Sequence, residues 1–158
     1  MKMLTAIALN SVVLYPWNEA VDACPAGWRL PILEEAQHLV AFTRQTHYDL
    51  GGCNYDGDLL RATEGWKYEQ GNNMLGFGAV PAGLKYFELD GFSTVTEEYC
   101  NKWPWEVNGG GGRASFWLYS DTLKRRPDAL FLDESSKPID LSSASDVKTA
   151  YSIRCVKE

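Results

Sequence analysis

The groups able to do chemistry are few. The chain holds four cysteines, Cys24, Cys53, Cys100 and Cys155, and two histidines, His38 and His47. No two cysteines form a C-x-x-C pair, so the spacing argues against a zinc site. Cys24 and Cys155 lie near opposite ends of the chain. A bridge between them would close almost the whole domain, a loop worth about 5 kcal/mol in the chain-entropy model, and would imply an oxidising compartment. The alternative is four buried thiols in a reducing one. His38 falls on a helical segment and His47 in a turn, and neither belongs to a nucleophile–base pattern. Glu97/Glu98 and Asp133/Glu134 are sequence neighbours, read as solvated rather than paired for acid–base work. Asn54-x-Asp56-x-Asp58 opens like a calcium loop, but the glycine falls at Gly57 and the closing glutamate is missing, so a solvated turn is the reading. No metal, cofactor or catalytic residue is expected.

Aromatic residues are the surplus: 6 Trp, 8 Tyr and 6 Phe in 158 residues. They concentrate at one informative place, EEYCNKWPWEVNGGGG at 97–112. Tyr99, Trp103 and Trp105 would form a flat platform for a sugar face or a protein partner, with Glu98, Asn101, Glu106 and Asn108 as polar contacts. The alternative is that these rings pack inward and order a long loop. The formal charge of −6 repels phosphate backbones and anionic lipid, which excludes nucleic acid as an expected partner. Lys124-Arg125-Arg126 is too short a basic run to reverse that and reads as a solvated turn.

The elements that must position these residues read as follows. Residues 3–15 suit a strand. Trp17, Ala20, Val21 and Cys24 fall on one face of a short helix over 17–24, stopped by Pro25 and Gly27. Leu33, Ala36, Leu39, Val40 and Thr43 share a face of a second helix, 33–46, with Glu34 and Glu35 in the first turn, where negative charge suits the helix dipole. Residues 47–58 are turn-rich. Beyond Leu59, short apolar runs alternate with Gly, Asn and Asp clusters: LLRATEGW, LGFGAVPAGLKYF, ASFWLYS, ALFLDE, KPIDLSS and YSIRCVKE. Two helices followed by short strands predict an α+β fold with an antiparallel sheet, in one domain over 1–158. The amino-terminal apolar stretch is short and runs straight into Tyr15-Pro16-Trp17, so it reads as a strand and not a signal peptide. No stretch approaches a membrane span, and no membrane insertion is expected.

The segments ACPAGWRLP, LRATEGW, GFGAVPAG, the pair Phe116-Trp117 and the terminal SIRCVK occur in an order that resembles the Fibrobacter succinogenes major paralogous domain. The resemblance runs from about Tyr15 to Lys157. It implies a C-type-lectin-like fold, related to that of the formylglycine-generating enzymes: two helices packed on a twisted antiparallel sheet, with long irregular loops. It also implies an extracellular setting. Cys24 and Cys155 match the two family cysteines, at the place where lectin-like domains join their ends, which implies a disulfide. Cys53 and Cys100 are left as candidates for a second bridge. Trp28, Phe77, Phe116 and Trp117 lie in shared motifs, which implies that they are core residues.

The sequence also departs from the family. Ile32 stands where Ser or Thr would cap the second helix, and isoleucine has no capping oxygen. The aromatic residue expected early in that helix is missing. Leu118-Tyr119-Ser120 replaces a polar run. The segment 94–112 is additional, and sits where lectin-like folds carry their variable loops. The lectin signature for calcium-dependent sugar binding is absent. The expectation is therefore a non-catalytic ligand-recognition module of a bacterial surface protein or phage virion. Its site would comprise Tyr99, Trp103, Trp105, Glu106 and Asn108, with a protein or carbohydrate ligand. The alternatives are a structural module that self-associates as a homo-oligomer or binds virion neighbours, and an enzyme of the formylglycine-generating type. The last lacks a second cysteine beyond Cys100 to pair with Cys155.

Overall fold

The computed structural model describes residues 13–52, 56–86, 112–120, 127–133, 138–144 and 149–158. The described elements are two helices and short antiparallel strands in small sheets, an α+β arrangement. A strand β1 (Tyr15–Pro16) leads into helix α1 (Trp17–Ala20), then β2 (Trp28–Arg29) and the long helix α2 (Leu33–Asp49). A 3-10 turn (Asp56–Leu59) follows, then β3 (Lys85–Tyr86), β4 (Arg113–Trp117), β5 (Asp128–Asp133), β6 (Asp140–Ser143), β7 (Thr149–Tyr151) and β8 (Val156–Lys157). The strands form three sheets in the orders β4-β5-β6, β1-β7-β3 and β2-β8, in place of the single sheet expected.

The β4-β5-β6 sheet organises the molecule because its strands alternate between two faces. Ala114, Phe116 and Leu118 with their cross-strand neighbours Leu130 and Leu132 join one cluster, which α2 covers through Ala36 and Val40. Trp117, Ala129 and Phe131 join a second cluster with Trp17, Leu30, Leu84 and Tyr151. Period-two alternation of this kind sends adjacent Phe116 and Trp117 into opposite cores. Parallel bridging between Phe116 and Ser152, with Trp117 donating its N–H to the Ser152 carbonyl at 3.0 Å, ties β7 to β4.

The chain ends close on the second face. β1 and β3 flank β7, and β8 pairs with β2. Cys24 and Cys155 form the expected disulfide across 131 positions, with Cα atoms 5.8 Å apart. The Trp117 indole donates to the Tyr15 carbonyl at 2.6 Å and packs against Trp17 and Tyr151, with ring centroids 5.3 and 4.4 Å away.

Several expectations need correction. The first helix ends at Ala20 rather than Cys24, because Val21 and Asp22 already turn toward Pro25. The second runs on to Asp49, so His47 is helical and not in a turn. LLRATEGW is not a strand. Apart from a single bridge from Arg61 to Ala79, it enters a closed loop. Phe77, Phe116 and Trp117 are core residues as expected, but Trp28 is only half-buried, because β2 pairs with β8 alone in a two-stranded ribbon. Residues 3–12 of the expected first strand lie outside the described residues.

Candidate recognition surface

The start of α2 shows how the fold compensates for a missing cap. Ile32 occupies the N-cap position and contributes no side-chain acceptor. Glu35, three residues on, instead reaches back and accepts the Ile32 N–H at 3.0 Å. This is one half of a capping box. Arg29 holds the same carboxylate with two hydrogen bonds, at 2.8 and 2.9 Å. The Arg29 guanidinium, helped by the Ile32 N–H and opposed by partial burial, holds the Glu35 carboxyl below the ordinary range. Arg29 and Glu35 thus lock the turn GWRLP to the first turn of α2.

The calcium-like tract has a structural role in place of the solvated turn expected. Asp56 is 4% exposed. One of its oxygens accepts the Ile139 N–H at 3.1 Å and the other accepts Arg44 Nε at 2.9 Å. Arg44 also donates to the Ile139 carbonyl at 3.1 Å. Asp56 therefore pins α2 to the start of β6. Asp58 accepts from Asn72 at 3.2 Å and lies 3.9 Å from His47 Nε2. Asn54 lies outside the described residues. Among the described residues no group of three or more His, Cys, Asp or Glu is gathered to hold a metal ion.

Asp133 was expected to be solvated and is instead paired: Arg113 donates to both its oxygens, at 2.6 and 3.1 Å, across β4 and β5. Burial pushes the Arg154 guanidinium down from its ordinary range. It lies 4.4 Å from the Phe77 ring centroid and donates to the Phe77 carbonyl at 2.6 Å. Beside it a cleft of about 20 Å³, reached by Glu35, Leu39, Phe116 and Leu130, has room for little more than one water molecule. His38 is exposed on α2.

Tyr99, Trp103, Trp105, Glu106 and Asn108 lie outside the described residues, as do Cys53, Cys100, Glu97, Glu98, Glu134 and residues 124–126. What the structure describes is the pair of roots from which 87–111 departs. β3 (Lys85–Tyr86) precedes this segment in the chain and β4 (Arg113–Trp117) follows it. Gly83 donates to the Arg113 carbonyl at 2.8 Å and bridges Ala114, so the two roots are stitched together. The Arg113–Asp133 pair and the Arg113 guanidinium 5.7 Å from the Phe131 ring centroid brace the returning root.

Sequence reasoning missed one surface feature, a loop at 62–71. Gly71 N–H donates to the Ala62 carbonyl at 2.9 Å and Ala62 N–H to the Ala79 carbonyl at 2.8 Å, which closes the neck. A side chain at Gly71 would collide with the Arg61 backbone, since a Cβ there would stand 2.2 Å from its carbonyl oxygen. Trp66, 3% exposed, joins the cluster covered by α2 and donates to the Ala79 carbonyl at 3.1 Å. The Gln70 amide accepts from Trp66 N–H at 3.1 Å and donates to its carbonyl at 2.5 Å. Compact surface loops with adjoining ends are Ω-loops. The available signal was Gly65 and Gly71 flanking a lone tryptophan.

The structure thus defines an α+β domain with a disulfide joining its ends and a sheet packed on both faces. The chain belongs to the Fibrobacter succinogenes major domain family, whose sequence model matches residues 6–157. No curated protein and no solved structure matches it significantly.

Proposed function

We propose that this chain is a non-catalytic, extracellular ligand-recognition module of C-type-lectin-like architecture, carried by a bacterial surface protein or a phage virion. It would bind through the aromatic segment 94–112. The observation that carries this reading is the stitched pair of roots, Gly83 against Arg113 and Ala114, on a sheet packed from both sides. Recognition residues are characteristically borne on loops held by a rigid scaffold. Tyr99, Trp103 and Trp105 supply the aromatic anchors that dominate many interfaces, with Glu106 and Asn108 as polar partners. The Cys24–Cys155 disulfide suits an oxidising setting. Asp56 and Asp133, the carboxylates nearest to a metal or acid–base role by sequence, are engaged in joining elements.

The test is the double variant Trp103→Ala/Trp105→Ala. Its melting transition should stay close to that of the parent. Retardation in native gels cast with soluble polysaccharides, or association seen by sedimentation, should be lost. A double variant that unfolds would make the tryptophans core. One that folds and associates as before would move the site elsewhere.

A further inference from the structure

We propose that His47 and Asp58 form a pH-sensitive clasp, in which the protonated imidazole closes onto the Asp58 carboxylate and fastens the last turns of α2 to the 3-10 turn. The imidazole is closely packed. Its side chain is 16% exposed, and the chain folds over it at Gly52. The Gly52 N–H donates to the His47 carbonyl at 2.9 Å, and a Cβ on Gly52 would stand 2.3 Å from the ring. Only glycine lets the backbone lie this close to the imidazole. Asp58 faces the ring from the 3-10 turn, with Oδ1 3.9 Å from Nε2. That distance is within ion-pair range and too long for a hydrogen bond.

The two oxygens of Asp58 are unequal. Oδ2 accepts from the Asn72 amide at 3.2 Å, and the Asp58 carbonyl accepts the Asn72 N–H at 2.9 Å. Oδ1 is buried and accepts no hydrogen bond among the described residues. A buried carboxylate oxygen without a donor is costly, and His47 Nε2 is poised to supply one. Protonation puts an N–H on both ring nitrogens and adds a charge. Charge-assisted hydrogen bonds are about twice as strong as neutral ones. The other charged groups on the packed elements are matched elsewhere. Asp56, on the same 3-10 turn, is held by Arg44, which lies about one turn before His47 on α2. Asp49 accepts from Gln45 at 2.7 Å. Asn72 brings a neutral amide. Asp58 is therefore the carboxylate left for His47.

Histidine changes charge between about pH 5 and 8, so the clasp engages in mild acid. A group that gains a partner on protonation stabilises the fold fully below the imidazole value of about 6.5 that holds in an unfolded chain. The contribution fades as the pH rises and the folded-state imidazole loses its proton.

The experiment is a double-mutant cycle of thermal melts on the whole chain: parent, His47→Gln, Asp58→Asn and the double variant, at about pH 5.5 and about pH 8. In the acid buffer the parent should melt about 1–3 °C above His47→Gln. The difference should shrink in the alkaline buffer and vanish in the Asp58→Asn background. His38→Gln, at an exposed site on the same helix, should show no dependence on Asp58. A His47 contribution that is equal in both buffers, or that survives Asp58→Asn, would overturn the proposal and leave His47 as packing. NMR of the parent alone decides the matter if a variant fails to fold. The backbone amide signals of Asp58 and Asn72 should move together with the His47 ring signals across the same pH interval. Amide signals that stay fixed while the ring titrates would equally overturn it.

Discussion

The two faces of the β4-β5-β6 sheet are closed by different means. On the face shared with the chain ends, Trp17, Trp117, Phe131 and Tyr151 stack in one aromatic group, and Cys24–Cys155 joins the termini covalently. On the face covered by α2, the packing is aliphatic around Phe77, Phe116 and Trp66, and charged groups secure the helix to its surroundings. Arg29–Glu35 secures its start and Arg44–Asp56 its later turns. Both cores exclude water; the second is also fastened at its rim by Arg29 and Arg44, whose side chains are 39% and 56% exposed. Truncating a core ring should therefore cost more stability than removing a rim contact, and sensitivity to pH should lie at the helical face.

Removing Trp117 is the severest test of that division. Trp117→Ala deletes a fully buried ring and the hydrogen bond its indole donates to the Tyr15 carbonyl. The expected loss is about 3–5 kcal/mol in a urea titration. A loss smaller than that of any substitution on the helical face would break the comparison.

The next effect belongs to Asp56. Its replacement by Ala leaves the Ile139 N–H unpaired at a buried site and releases Arg44. About 1–3 kcal/mol should be lost, the usual cost of orphaning a buried polar group. Asp56→Asn keeps an oxygen for Ile139 and should recover part of it. Chemical denaturation of the two variants side by side reads the difference.

The smallest effect is the one that titrates. The Arg29–Glu35 pair is partly exposed, and such pairs contribute about 0.2–1 kcal/mol. Because the Glu35 carboxyl is held below its ordinary value of 4.5 in the folded state, its contribution is complete above that value. It is lost as the pH falls toward the depressed one. The melting difference between the parent and Glu35→Gln should therefore be present at pH 7 and shrink below about pH 4.5. A difference that does not change with pH would show that Glu35 acts by packing alone.

Much of this was legible in the residues themselves. The apolar spacing of Leu33, Ala36, Leu39, Val40 and Thr43 specified α2, since a face that buries every third or fourth residue leaves that period in the sequence. The short apolar runs ASFWLYS and ALFLDE, bounded by turn-forming residues, pointed to the two longest strands. The resemblance carried by ACPAGWRLP and SIRCVK implied the disulfide, and the family was identifiable from five short motifs in order. Other features depended on residues distant in the chain. That Asp56 is a buried pin and not a hydrated turn was decided by Arg44 on α2 and by Ile139, which meets it from the start of β6. That Asp133 is paired was decided by the cross-strand register that sets it opposite Arg113. Ile32 could be recognised as a failed cap, but its rescue by Glu35 depends on the clamp from Arg29, a contact that local periodicity does not encode. The loop at 62–71 passed for a strand because its closure lies in hydrogen bonds from Gly71 to Ala62 and from Ala62 to Ala79. Apolar periodicity records which side of an element faces away from water. It does not record which polar groups meet, because folding brings their partners together from separate parts of the chain.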